Sequence, residues 1–240
     1  MNPKIIYEDD DLMVLDKPAG WVVNNAESVK GETVQEWISK NFQFPISNFQ
    51  LLRNGVVHRL DKETSGVLLV AKKESAFYEL QKQFKDRIVE KSYITLVHGK
   101  VEPNEGEINA PVGRLPWNRE RFGVIPGGRE ATTHYRAISG YQSPFTKEKF
   151  TLLEVLPKTG RTHQIRIHLK YLGYPVVADE FYAGRKTARA DRKWCPRLFL
   201  HAAGIKFNHP SSGKRIDVAS DMPKELEKSI NFLEKIPQSP

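Results

Sequence analysis

The sequence predicts an α+β fold: a mixed, largely antiparallel central sheet flanked by helices and loops. Three observations predict it. Runs of strand length and composition outnumber the helical periodicities. Most neighbouring runs are separated by short, turn-rich spacers that suit hairpins rather than long crossovers. The chain's 240 residues contain no internal repeat, low-complexity segment or long linker, which suits a single domain spanning 1–240.

Ile5-Ile6-Tyr7 and Leu12-Met13-Val14-Leu15 read as two short strands separated by an acidic turn. Lys17-Pro18-Ala19-Gly20 breaks the pattern, and Trp21-Val22-Val23 resumes it. Thr33 opens an amphipathic helix that turns Val34, Trp37 and Ile38 toward a core. Gly66 to Ala71 is a continuous apolar run of strand length, and its lack of alternation predicts burial on both faces. Ser75 to Arg87 is helical, with Phe77, Leu80 and Phe84 on one face. Lys91 to Val97 is a further strand. The stretch Glu102 to Thr132, rich in Gly, Pro and Arg, reads as turns, short strands and a mobile loop. Thr133 to Ser139 and Phe150 to Leu156 look like paired strands. Thr162 is placed to cap a helix through Leu172 that Gly173 ends, with Ile165, Leu169 and Leu172 inward and His163, Arg166 and Lys170 on another face. Leu198 to Phe207 suggests a late strand pair, and Pro223 to Leu233 a closing amphipathic helix.

Composition narrows the function classes. Hydrophobic residues make up 39% and charged residues 28%, enough for a true core in a soluble chain. No apolar run approaches the roughly 18 residues that would span a membrane, and the acidic N-terminus lacks an apolar signal core. Cys195 is the only cysteine, so neither a disulfide framework nor a cysteine zinc cluster is expected, and a cytoplasmic location fits. The net charge is +8, from 37 Lys+Arg against 29 Asp+Glu. That balance suits a polyanionic partner, because phosphates neutralised by Lys or Arg release condensed counterions. The charge gathers in two places. Arg185, Lys186, Arg189, Arg192, Lys193 and Arg197 face only Asp191, and Arg114, Arg119, Arg121 and Arg129 stud the Pro- and Gly-rich stretch. Both read as basic loops rather than mixed-sign helix faces.

Asp61 is the first candidate for chemistry. It follows a basic pair, precedes Thr64-Ser65-Gly66, and stands just before the apolar strand. A carboxylate there is held by a rigid scaffold yet reachable, with Thr64 and Ser65 available to fix the loop. Taken alone, the spacing favours an aspartate that merely satisfies turn amides. The histidines do not suggest a metal. His163 and His168 are five apart, which on a helix leaves them about 140° apart in azimuth and poorly suited to one ion. His58 and His201 fit structural hydrogen bonding, and Gly127-Gly128 lacks the sequel of a phosphate-binding loop.

The segment His58-Arg59-Leu60-Asp61 followed by Thr64-Ser65-Gly66 resembles the signature of the RluA-type pseudouridine synthases. Four further segments resemble the family's motifs in the same order. They are Tyr7 to Gly20, Lys91-Ser92-Tyr93, Gly160 to His168 (Gly-Arg-Thr-His-Gln-Ile-Arg-Ile-His) and Arg197 to Ala202 (Arg-Leu-Phe-Leu-His-Ala). The resemblance runs from Ile5 to about Val218.

The resemblance implies a site. Asp61 would attack or deprotonate the target uridine's ribose and break the glycosidic bond; the uracil would then turn and rejoin the sugar through carbon. The uracil itself stabilises the developing negative charge, so no cofactor and no metal is implied. Tyr93 would stack on the target base and take the proton lost from carbon. Arg166 would pair with Asp61 and keep it ionised. Arg59 would enter the stack vacated by the flipped uridine, at an unstacking cost of a few kcal/mol, with His58 beside it at the RNA. Leu200 would pack beneath Tyr93, a role equally compatible with an ordinary core leucine. Arg189, Arg192 and Lys193 would bind RNA. The implied partner is a tRNA or rRNA stem-loop, met by a monomer with no obligatory protein partner, no membrane and no RNA-binding domain before the catalytic one. Two other readings compete. A catalytically silent RNA-binding or RNA-folding protein would not need Asp61, Tyr93 and Arg166 together, and a nucleosidase or glycosidase would want a second catalytic carboxylate.

Overall fold

The computed structural model describes residues 2–27, 29–44, 52–116 and 118–237. Along the chain run strands β1 (Lys4–Glu8) and β2 (Leu12–Lys17), helix α1 (Val34–Asn41), strand β3 (Ser65–Ala71), helix α2 (Glu74–Lys85) and strand β4 (Glu90–His98). Strands β5 (Glu105–Asn109), β6 (Val112–Leu115), β7 (Asn118–Val124), β8 (Thr132–Gln142) and β9 (Lys149–Pro157) follow, then helices α3 (Gln164–Tyr171) and α4 (Arg185–Asp191). Strands β10 (Leu200–Asn208) and β11 (Arg215–Ala219), helix α5 (Lys224–Asn231) and strand β12 (Glu234–Ile236) come last. The α+β class is as expected. The chain forms two compact units, 1–91 with 202–221 and 92–201 with 222–240.

In the first unit the strand order is β1-β2-β3-β10-β11. The hairpin β1–β2 and the pairs β2–β3 and β10–β11 are antiparallel, with Leu12 opposite Ala71 and Lys17 opposite Gly66. All of β3 is buried, as its unbroken apolar run predicts, and α2 packs against it. Gly66 has φ +109, and a Cβ there would lie 2.1 Å from the carbonyl oxygen of Ala202 on β10. Only glycine lets β3 and β10 approach this closely. Gln83 ties α2 to the end of β10, its amide donating to Asn208 O at 2.8 Å and accepting from Asn208 N at 2.9 Å.

Thr33 caps α1 with a full capping box, Oγ1 accepting from Glu36 N at 3.1 Å while Glu36 accepts from Thr33 N at 3.2 Å. Val34 and Ile38 are buried as expected, but Gln35 rather than Trp37 completes the buried face. Trp21 to Val23 is not a strand. The carbonyls of Val22 and Val23 accept from the amides of Val34 and Gln35 at 2.9 and 3.1 Å, satisfying the open N-terminus of α1 instead of a sheet.

In the second unit β4, β9 and β8 pair antiparallel in that order, with Tyr93 opposite Val155 and Tyr141 opposite Phe150. The outer side of the long strand β8 takes two partners in series, β5 along Thr132 to Arg136 and β12 along Gly140 to Gln142. The Gly-, Pro- and Arg-rich stretch is more regular than its composition suggests, since β6 and β7 form a two-stranded hairpin with Gly113 opposite Gly123. The side chain of Arg119 lies outside the described residues. The basic stretch after Gly184 contains a short helix, α4, which its like charges disguise. Helix α3 is not capped by Thr162. Its N-cap is His163 at φ +57, and the Gln164 side chain accepts from Arg161 N at 2.9 Å. Ile165 and Leu169 are buried as predicted, and so is Arg166. The late strand pair is one strand, β10, and its partner β11 comes after a turn.

Candidate active site

Asp61 stands on the loop that leads from a 3₁₀ turn at Arg53–Gly55 into β3. The backbone around it is tied at several points. Gln81 donates to Val57 O at 3.0 Å, and Thr64 N donates to Asp61 O at 3.1 Å. The carbonyl of Lys62 accepts from Gly20 N at 2.7 Å and from Lys17 Nζ at 3.3 Å. Lys17 is wholly buried, and its ammonium also donates to Pro18 O and Trp21 O, each at 3.0 Å. A buried ammonium is tolerated only when its donors are met, and these carbonyls meet them. The Lys-Pro-Ala-Gly break in the sequence is thus a clamp on the residue next to Asp61. Lys17→Met should lower stability by about 1–3 kcal/mol, since buried carbonyls lose their donor, and a urea titration will show it as a lower midpoint with unchanged slope.

The Asp61 side chain is half-buried, Leu60 points into the core and Arg59 is exposed. The neighbouring His58 accepts from Leu69 N at 2.9 Å through Nε2, and its ring lies 5.1 Å from that of Phe84. Burial, with the charge of Lys91 adding to it, pushes the His58 pKa down to about 3, so the imidazole stays neutral and able to accept. Burial also lowers Lys91, to about 8. Thr64 does not fix the loop through its hydroxyl, which is buried and bonds to none of the described residues; its amide does so instead.

Tyr93, Arg166 and Leu200 belong to the second unit, as do Arg189, Arg192 and Lys193. Leu200 is buried in a cluster with Val155, Ile165 and Leu153, and Tyr93 packs against that cluster. Arg166, 5% exposed on α3, forms a two-pronged pair with Asp179. Its Nε donates to Oδ2 at 2.7 Å and its Nη2 to Oδ1 at 2.9 Å. The same Oδ1 accepts from the amides of Phe181 and Tyr182 at 3.0 and 3.1 Å. Asp179 went unanticipated in the sequence. The one available signal was a carboxylate ending the apolar run Val176-Val177-Ala178, together with the requirement that a buried guanidinium have a counter-charge.

The residue before Asp179 is itself held. Ala178 has φ +61, a backbone conformation costly for alanine. Its N–H donates to Asp191 Oδ2 at 2.8 Å and its carbonyl accepts from Arg192 at 3.4 Å. His98 on β4 bridges Asp191 and Glu148, with Nε2 and Nδ1 at 3.0 and 2.8 Å. Burial alone would lower the pKa of His98, but the bonds and charges of Asp191 and Glu148 outweigh it and raise it, favouring the charged imidazolium. Arg189, Arg192 and Lys193 are exposed at and after the end of α4, whereas Arg197 is buried on Glu225 at 3.0 Å. His168 is fully buried between Thr133 Oγ1 at 2.9 Å and Ala110 O at 3.0 Å, and among the described residues no three His, Cys, Asp or Glu side chains are arranged to hold a metal ion.

A family model described as RNA pseudouridylate synthase matches residues 11–171. A ribosomal large subunit pseudouridine synthase D of Nitrosomonas europaea is 38% identical over 242 residues, covering 98% of this chain and 67% of the relative. A ribosomal large subunit pseudouridine synthase C of Vibrio parahaemolyticus is 38% identical over 232 residues, covering 96% and 69%. Among solved structures, human RNA Pseudouridylate Synthase Domain Containing 1 superposes with a TM-score of 0.76 at 25% identity, over 99% of this chain and 91% of the other. The motif order and these likenesses agree: the chain belongs to the RluA-type family and is an RNA pseudouridine synthase.

Proposed function

We propose that this enzyme converts uridine in large-subunit ribosomal RNA to pseudouridine, with Asp61 as the reacting carboxylate. The observation that carries the reading is the placement of Asp61. It sits on a loop whose backbone is clamped by the buried ammonium of Lys17, at the head of a strand buried along its whole length. The names of the two bacterial relatives support ribosomal RNA as the substrate. The carboxylate attacks the ribose at the glycosidic carbon, or removes a ribose proton, and the uracil leaves with the bonding pair on nitrogen. Carbon 5 of the turned uracil forms the new bond to the sugar as the carboxylate leaves or returns the ribose proton; the proton on carbon 5 is then lost and the freed ring nitrogen gains one. The reaction is an isomerisation, so it requires no oxidant, reductant or cofactor. Tyr93 stacks on the target base and accepts that last proton, with Leu200 supporting it from the core. Arg166 supplies positive charge during turnover. Arg59 fills the place of the flipped uridine, and the neutral His58 acts from behind by fixing the loop to Leu69. Residues 1–240 serve as one catalytic domain, acting as a cytoplasmic monomer without an obligatory protein partner.

The test is tritium release from large-subunit ribosomal RNA carrying tritium at uracil carbon 5. The intact protein is expected to release it, and a complete lack of release would overturn the assignment. In the same assay, replacing Arg189, Arg192 and Lys193 together with glutamine should raise KM and flatten its salt dependence while kcat holds. The slope should fall by about one for each phosphate that is no longer neutralised. An unchanged KM would remove α4 from the RNA footprint.

A further inference from the structure

Phe181 is an exposed aromatic ring whose backbone is tied to a buried carboxylate. It is 47% exposed, yet its amide and that of Tyr182 are both held by Asp179, which in turn is locked to Arg166. The surroundings are cationic and aromatic. The guanidinium carbon of Arg121 lies 5.8 Å from the Phe181 ring centre and that of Arg166 lies 5.6 Å away. The His163 ring is 6.1 Å from Phe181, and its Nδ1 is bonded to the Tyr182 hydroxyl at 2.9 Å. Phe122 on the β6–β7 hairpin faces His163 at 6.1 Å and carries Arg114 over its ring at 4.8 Å. The acidic neighbour Glu180 is directed to Arg185, at 3.9 Å.

A half-exposed ring, held at its backbone and already in cation–π contact with guanidinium groups, has the chemistry of a stacking platform for single-stranded nucleic acid. Any nucleobase offers a π-face to the ring, and the guanidinium of Arg121 suits a neighbouring phosphate. A protein partner would instead be expected to meet an apolar patch rimmed by both signs of charge. We propose that Phe181, with Arg121, binds an unpaired nucleobase of the substrate RNA other than the uridine being isomerised. The inference rests on the reading of structured RNA as the substrate and adds a second point of attachment to it. Because Asp179 holds both Arg166 and the backbone of Phe181, engagement of that base presses on the same short segment that anchors Arg166.

The test compares Phe181→Leu, which keeps the apolar volume without the ring, Phe181→Trp, which keeps a stacking surface, and Arg121→Gln. Binding is measured to a hairpin oligoribonucleotide with a single-stranded uridine loop and to a fully paired duplex of the same length, and turnover is measured on large-subunit ribosomal RNA. Phe181→Leu should weaken hairpin binding and raise KM by about 5- to 150-fold, leave kcat within about threefold and leave duplex affinity unchanged. Phe181→Trp should restore the hairpin affinity, and Arg121→Gln should reduce the salt slope for the hairpin by about one. Wild-type affinity in Phe181→Leu, an equal loss on the duplex, or failure of tryptophan to restore binding would each overturn the inference. If the intact protein released no tritium while hairpin binding still depended on Phe181, the assignment of activity would fail and the stacking site would stand.

Discussion

Replacing Asp61 with asparagine is expected to abolish uridine isomerisation while leaving the RNA affinity within about threefold of the native value. Asparagine has nearly the same shape but cannot supply a carboxylate lone pair to the ribose, and it is too weak a base to remove a ribose proton. The loss should reach at least about 10⁴-fold in kcat, equivalent to roughly 5.5 kcal/mol of transition-state stabilisation. The near-identical shape of asparagine keeps the packing around position 61. The main chain of the loop is tied independently of that side chain, by Thr64 N on Asp61 O and by Gly20 N and the Lys17 ammonium on Lys62 O. Single-turnover tritium release and RNA binding by fluorescence anisotropy separate the two effects. Near-native turnover by Asp61→Asn would remove Asp61 from the chemistry. Loss of RNA affinity in proportion to loss of rate would make it a binding residue.

The legible part of this protein is the part written in contiguous residues. The strand after Asp61 announces itself by an unbroken apolar run, and α1 by Thr33 at the head of an amphipathic run. The motif around Asp61 is equally local. What the sequence hides is whatever depends on a partner far along the chain. Lys17 looks like a residue in a turn until the carbonyl of Lys62 is seen above its ammonium. Trp21 to Val23 has strand composition, but its carbonyls are committed to the first turn of α1. β12 has no strand signature at all, because three residues pair only where β8 leaves an edge open. The helix α4 escapes periodicity analysis because it is short and three of its seven residues are cationic. Asp179 and Asp191 are hidden for the same reason as Lys17: a carboxylate's meaning lies in the cation or amide it meets.

Removing the charge of Asp179 is expected to cost both stability and activity, with a larger loss of stability than removing the charge of its partner Arg166. Asp179 is fully buried and Arg166 nearly so, so the pair exchanges its bonds with no solvent in reserve. Asp179→Asn leaves a buried guanidinium facing a neutral amide whose NH₂ group is turned toward donors. Breaking a buried pair from one side typically costs about 3–5 kcal/mol, which for a chain of this size corresponds to a fall in Tm of roughly 6–20 °C. Two backbone amides, those of Phe181 and Tyr182, lose an ionised acceptor at the same time. Arg166→Met removes the cation instead. It leaves Asp179 with those amides still bonded, so its stability loss should be smaller than that of Asp179→Asn, although its kcat should fall at least as far. The double variant tests whether the two residues act as a unit. If they do, its loss in kcat will match that of Arg166→Met alone rather than the product of the two single losses. Fully additive losses, with Tm unchanged in Asp179→Asn, would mean that Asp179 does not position Arg166, and that the arginine is held for catalysis by something else.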